Sequence, residues 1–467
     1  GRRAAREAQT LFNSVVIGCA AAQCRCGGID NVFIGTDAGR GSSTTSNNTG
    51  NYNVVVAGRT GAINLTSGSS NVFLGDYVAA CVTSGASNIA IGRNAGRNIT
   101  SGSENIFLGS CAGGTGTVTG TGCNIAIGRC SALNLTDGSG NVIMGDLSGA
   151  NITSGNDNVL LGHNAGCSIV TSVRNILIGR CAGMSVTSSD NVMIGLRAGE
   201  CSGASEYNVF IGRDAGRAVG TGGDGDNNTF VGYLAGCNVT TGNCNVAIGN
   251  MALRSDGGGV TGSYNIAMGD CAGNAVTSGH SNIMIGCQAG CTATTAQENI
   301  FIGNKAGRDT QTAAQKNLFL GDLAGYTNTT GCCNVAIGRE VTLASTTGTR
   351  QLAIGDGSSR WLTGDSSFHI QPGAGIRDKD GDLGTAGQVL SSTGTQLNWI
   401  DSGGVQDKIE EGNTSAEVID TGSDGHFVVN TEGSERLRVI SDGNIGIGLT
   451  NPSAKLHTIG DVMIQGT

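Results

Sequence analysis

The phrase N-[VI]-x-[IL]-G, or a close variant of it, returns twenty times between residues 13 and 355. Taking its closing Gly as the anchor, the copies run from Gly18 and Gly35 through Gly128, Gly145 and Gly162 to Gly338 and Gly355. Thirteen of the nineteen spacings are 17 residues, and the rest lie between 16 and 23. A unit this small cannot bury its own apolar face, so neighbouring units must stack. Each unit reads N-V-x-I-G-x-x-A-G-x-x-[VIL]-T-S-G-x-x. Its apolar run is three residues long, β-branched at the first position and fenced by Asn and Gly, which suits a short strand and not a helix. The Ala-Gly pair and the Thr-Ser-Gly triplet are turn chemistry. The sequence therefore predicts an all-β chain, a parallel β-solenoid (β-roll) of about twenty 17-residue coils. At the ~4.8 Å spacing of paired strands it would be about 95 Å long. The long spacings come from residues 39–52, 216–228 and 254–264. These insertions fall between the Ala-Gly region, or its equivalent, and the next Asn, so they bulge at one corner and spare the ladder.

Strand side chains alternate between faces. With the β-branched first and third residues assigned to the interior, the middle residue points outward, and it is apolar in every copy. The stripe includes Phe33, Phe73, Ala90, Phe107, Ala126, Phe210, Phe230, Ala247, Phe301, Phe319 and Ala336. Soluble monomers expose contiguous apolar patches of at most a few hundred Å². The stripe is expected to be a contact between copies, and three solenoids about a common axis would cover it.

Asn precedes the strand in 17 of the twenty copies. Asn31, Asn71, Asn88, Asn105, Asn124, Asn141, Asn158 and Asn175 are expected to form a ladder of amides bonded up and down the stack; the alternative is a local turn cap. Thr66, Thr83, Thr100, Thr136, Thr153, Thr240 and Thr277 recur at the Thr-Ser-Gly corner. A ranked Thr surface raises ice binding, but the neighbouring Ser or Thr faces the other way, which favours a structural corner.

All 17 cysteines lie between Cys19 and Cys333, and an odd number cannot all pair within one chain. Zinc-type Cys-x-x-Cys pairs are missing, and Cys24/Cys26 and Cys332/Cys333 are the most closely spaced. Cys111 and Cys130 occupy one position in consecutive coils, within reach of a disulfide. Small filler thiols kept reduced during cytosolic assembly are the preferred reading. No metal or cofactor is expected.

The composition sharpens these limits. Gly makes up 81 of 467 residues, Pro only 2 and charged residues 13 %. Collagen is excluded because Gly does not recur every third residue, and disorder because the 38 % apolar residues are so regularly placed. A net charge of −9 on 63 charged residues gives no reason to expect a nucleic-acid partner. No run approaches the ~20 apolar residues of a membrane span, and GRRAAREAQTLF has no apolar core of a secretory signal.

The repeat stops after Gly355, where both Trp and both Pro residues appear and cysteine vanishes. The expected organisation is a connector over 1–12, the repeat shaft over 13–357, a β-rich linker module over 358–403 and β-modules over 404–467. Asp378, Asp380 and Asp382 in DKDGD have a faint likeness to a calcium loop, and a solvated turn is preferred. The stretches GTAGQVLSSTGTQLNW, EVIDTGSDGHFVVNTEGSERLRV and DGNIGIGLTNPSAKLH resemble modules of tail-fibre and related virion proteins of marine, cyanophage-type tailed phages. NSVVIG at 13–18 and the NIAIG and NVAIG copies resemble the head repeats of trimeric autotransporter adhesins, although the period is longer here and Ala-Gly replaces part of the motif.

These resemblances imply an obligate homotrimer that is a virion fibre and not an enzyme. It would be assembled in the host cytoplasm and released by lysis, joined to other virion proteins at its N-terminus and facing a host surface receptor at its C-terminus. They also imply a C-terminal chaperone removed after assembly. Trp361, Phe368, His369 and Trp399 are tip candidates, with core aromatics the preferred alternative. Two other functions remain open: a polysaccharide-cleaving tailspike, which needs two carboxylates at a set separation, and a trimeric cell-surface adhesin.

Overall fold

The computed structural model describes residues 11–41, 48–120, 122–221, 223, 225–255, 258–386, 388–392, 397–401, 408–419, 425–461 and 463. The expected connector thus lies mostly outside the described residues. The chain divides into two units, Gly1–Gln371 and Pro372–Thr467. Residues 358–371 group with the repeats.

In the first unit twenty short strands, from β1 (Val15–Ile17) to β20 (Leu352–Asp356), stack parallel and in register through nineteen pairings, one turn of chain per step. A typical step aligns Ile125, Ala126 and Ile127 with Val142, Ile143 and Met144. The third coil departs from the pattern. An extra residue, Ala57, precedes its Gly, so Val55 and not Val56 pairs with Phe33, and a bulge absorbs the difference. The last rung is met by the antiparallel β21 (Ser359–Gly364), so the parallel stack does not end on a bare edge. The sheet continues into β22 (Ile370–Pro372).

The interior contains the middle residue of each strand. Phe33, Phe73, Ala90, Phe107, Ala126, Phe210, Phe230, Ala247, Phe301, Phe319 and Ala336 are each 0 % exposed within the single chain. This reverses the facing expected from the sequence, so these residues form the solenoid's own core and not a contact between copies. The reason lies in the opposite wall. The coil is thin, and the Gly of the Ala-Gly pair is pressed against the strand's middle side chain. A Cβ on Gly113 would stand 2.6 Å from Phe107 Cε1, and Gly113 itself has φ +55°. The recurring Ala (Ala95, Ala112, Ala165) and the apolar residue before Thr-Ser-Gly (Leu65, Ile99, Ile152) complete the core. Large and small middle residues alternate along part of the stack, and where two Phe residues meet they lie nearly parallel, as in Phe210–Phe230 with centroids 5.1 Å apart.

Asn shares the strand's inner face because it stands two residues before the middle position. From Asn31 to Asn334 eighteen Asn side chains are buried one above another. Asn141 donates from its backbone N–H and from Nδ2 to Asn124 Oδ1, at 3.1 and 2.9 Å, and its own Oδ1 accepts the same pair from Asn158. Its Nδ2 also donates to the Gly155 carbonyl at 2.8 Å, which ties the strand to the next Thr-Ser-Gly corner. The bulge brings Asn53 into this column, and Gln351 takes the last place. At the corner, Thr136 Oγ1 donates to the Thr153 carbonyl at 3.1 Å and Thr66 Oγ1 to the Thr83 carbonyl at 3.0 Å. These hydroxyls link coil to coil.

The second unit contains a hairpin, β23 (Gln388–Ser392) with β24 (Leu397–Asp401), and a six-stranded sheet. The sheet runs β25 (Lys408–Glu411), β26 (Thr414–Ile419), β27 (His426–Thr431), β28 (Ser434–Val439), β29 (Ile445–Ile447) and β30 (Leu456–Thr458) in chain order. Its pairings are antiparallel except the last.

A candidate interface along the solenoid

If the middle residue points inward, the first and third point out. These two columns hold forty residues, from Val15 and Ile17 to Leu352 and Ile354, and every one is Val, Ile, Leu or Met except Thr229. The outer face of the parallel sheet is thus a double row of aliphatic side chains without a charge. Each is shielded partly by its neighbours above and below. Even so, Ile17, Met144 and Leu320 remain 55 %, 41 % and 41 % exposed, and most of the others are half-buried. Nineteen steps of ~4.8 Å give a strip about 90 Å long and roughly 10 Å wide. Its ~900 Å² exceeds what monomers leave in water and equals the area one partner contributes to a stable interface.

Polar columns border the strip. Immediately after the anchor Gly, Arg129 pairs with Asp146 at 2.7 Å, Arg339 with Asp356 at 2.9 Å, and Asn304 with Asp322 at 2.8 Å. On the other side, before the ladder Asn, Arg174 meets Asp190 at 2.6 Å and Lys316 meets Glu298 at 3.8 Å. Hydrogen bonding to its Arg partner holds the carboxyls of Asp190 and Asp356 below the ordinary carboxylate range. An apolar centre with a charged rim is the anatomy of a protein interface.

Two features were missed in the sequence. The residue two before the ladder Asn builds a second polar column. Asn156 Oδ1 accepts the Ser139 N–H at 2.8 Å, and Ser103, Ser189 and Ser263 accept from Ala86, Val173 and Asn243 in the same way. The frequent S-x-N and N-x-N spelling was the available signal. The other is Arg25, fully buried near the first turns with its guanidinium 5.1 Å over the Phe33 ring. It donates to the carbonyls of Gly50 at 3.0 Å and Leu65 at 3.3 Å. Burial lowers its pKa to about 10. Nothing in its sequence context marks it.

Cys237 is buried, the other cysteines are exposed or half-buried, and no two are joined in a disulfide. Burial pushes the Cys167, Cys237 and Cys291 thiols above their ordinary range. Among the described residues no group of three His, Cys, Asp or Glu side chains is placed to hold a metal, and no helix is long and apolar enough to cross a membrane. Asp378 accepts the backbone N–H groups of Asp380, Asp382 and Trp399, so its oxygens serve a turn.

Trp361 and Phe368 are 72 % and 73 % exposed, so they are not core aromatics, and His369 pairs with Asp365 at 3.1 Å. Trp399 is half-buried, with Nε1 donating to the Ile376 carbonyl. A cleft of about 540 Å³ near the last coil is lined by Leu323, Tyr326, Leu343 and Arg360, and Glu340 is its one carboxylate. No protein-family model matches the chain, and no curated protein or solved structure does either.

Proposed function

We propose that the chain is the shaft of a homotrimeric virion fibre of a tailed phage, holding a host-binding C-terminal part away from the particle. The observation that carries this reading is the aliphatic double row with its charged borders. An aliphatic face repeated on nearly every coil is suited to packing against the same face of further copies. Three copies around one axis let each strip meet the other two, and the likeness of the repeats to trimeric adhesin heads favours three. The rest of the coil suits a passive spacer. Its polar groups are largely consumed in ladders between coils, and its cleft has a single carboxylate where glycoside hydrolysis needs two. The C-terminal modules, with their likeness to tail-fibre segments, supply the part that meets a receptor on the host surface, and the other end joins further virion proteins.

The test is to locate the chain. Purified particles from lysed host cells, analysed by mass spectrometry, are expected to contain it, and antibodies raised against residues 372–467 are expected to block adsorption of those particles. Finding the chain anchored on cells and missing from particles would favour the adhesin reading and overturn this one.

A further inference from the structure

The second unit has a sheet but almost no interior. Between residues 372 and 467, Val428 and Pro452 are the only buried apolar side chains among those described. Register explains why. Val418, Phe427, Val439, Ile445 and Leu456 face one way in a row across five strands. The next row, from Ile409 to Ile447, shares that face and is apolar throughout. The opposite face carries Glu417, His426, Asn430 and Arg438 beside the aliphatic Ile419 and Val428, and Val428 is buried there. Among the described residues the apolar face stays open: Ile409 is 80 % exposed, Leu456 56 % and Val418 46 %. A single sheet layer with an exposed apolar face is half of a domain, and stable domains pack two layers.

We infer that this face is a second contact between copies of this chain, closed by the same sheet of its partners, and that closure is what folds the unit. The inference rests on the copy-on-copy packing proposed for the solenoid. Its size identifies the occupant. Six strands at ~4.8 Å spacing and two residues deep give roughly 300 Å² per copy, well under the ~800 Å² each partner brings to an interface that stands alone. A free partner would bind such a patch weakly. Copies already held together along the solenoid meet it at millimolar effective concentration, where a small self-complementary face suffices. Each copy also supplies the same apolar surface, as a cyclic assembly requires.

The experiment uses the full chain, its Phe427→Asp/Leu437→Asp variant and its conservative Phe427→Leu variant. Each is examined by sedimentation and by proteolysis with the cuts mapped by mass spectrometry. The parent is expected to sediment as a trimer and to resist cutting within 408–461. The double-Asp variant is expected to keep the trimer mass, because the solenoid contact is untouched, yet to be cut in that segment at least about tenfold faster. Phe427→Leu is expected to behave as the parent. A trimeric parent that is itself cut readily within 408–461 overturns the inference while leaving the solenoid packing intact. Equal resistance of parent and double-Asp variant also overturns it, since an uncovered face tolerates Asp. A parent that sediments as a single chain overturns both.

Discussion

Asn141 makes four ladder bonds and a fifth to the Gly155 carbonyl, with no exposed surface. An amide can serve there because it donates on one side and accepts on the other. A carboxylate cannot, since its second oxygen would face the Asn124 and Gly155 oxygens. In Asn141→Asp the folded state therefore favours the protonated acid, and the folded pKa rises above the ~3.9 of an unfolded Asp. A raised pKa means stability that is present below the unfolded value and lost as pH climbs through the folded one. Relative to the parent, Asn141→Asp is expected to unfold at slightly lower denaturant near pH 4 and to lose on the order of 3–5 kcal/mol by pH 8. A deficit equal at both pH values would mean that the side chain is reached by water.

At the scale of the coil, the strand and the Ala-Gly turn form one cross-section in which neither can change alone. Gly113→Ala puts a methyl group against the Phe107 ring at a backbone φ of +55°. Overpacking costs ~1–3 kcal/mol and the left-handed backbone about 1–2 more. The variant is expected to unfold ~2–5 kcal/mol earlier in a denaturant titration. Adding Phe107→Ala, the residue that Ala90 and Ala126 already place in adjacent coils, should leave the double variant more stable than the sum of the single changes predicts. Simple additivity would show that the two residues do not touch.

The coil is also where the sequence was easiest to read and where it misled. Period, strand position and the tolerance of corners for extra residues all follow from spacing, as does the Asn ladder. Alternation alone says only that Phe107 faces opposite to Ile106 and Leu108; it does not say which is inside. The β-branched first and third residues read as a core, although they form the outer face. The informative signal was variation in size. The middle residue ranges from Ala to Phe, as a core packed against a close opposite wall must, while the flanking residues hardly vary. The ladder gave a second clue, because Asn105 and Phe107 are two residues apart and must share a face. Arg25 and the unbacked C-terminal sheet could not be read, since both depend on what does or does not lie over them in space.

At the scale of the whole molecule, two apolar sheet faces are exposed among the described residues, one along the solenoid and one in the second unit. The proposal is that both meet copies of themselves. The tailspike alternative needs a pair of carboxylates that the cleft near the last coil does not offer. The adhesin alternative shares the assembly and differs in where the chain is found. The claim on which everything rests is that the double row from Val15 to Ile354 is closed by other copies. Equilibrium sedimentation of the purified chain tests it most directly. The account predicts three copies of 46.7 kDa, about 140 kDa, persisting on dilution. A stable, soluble species of 46.7 kDa would contradict it.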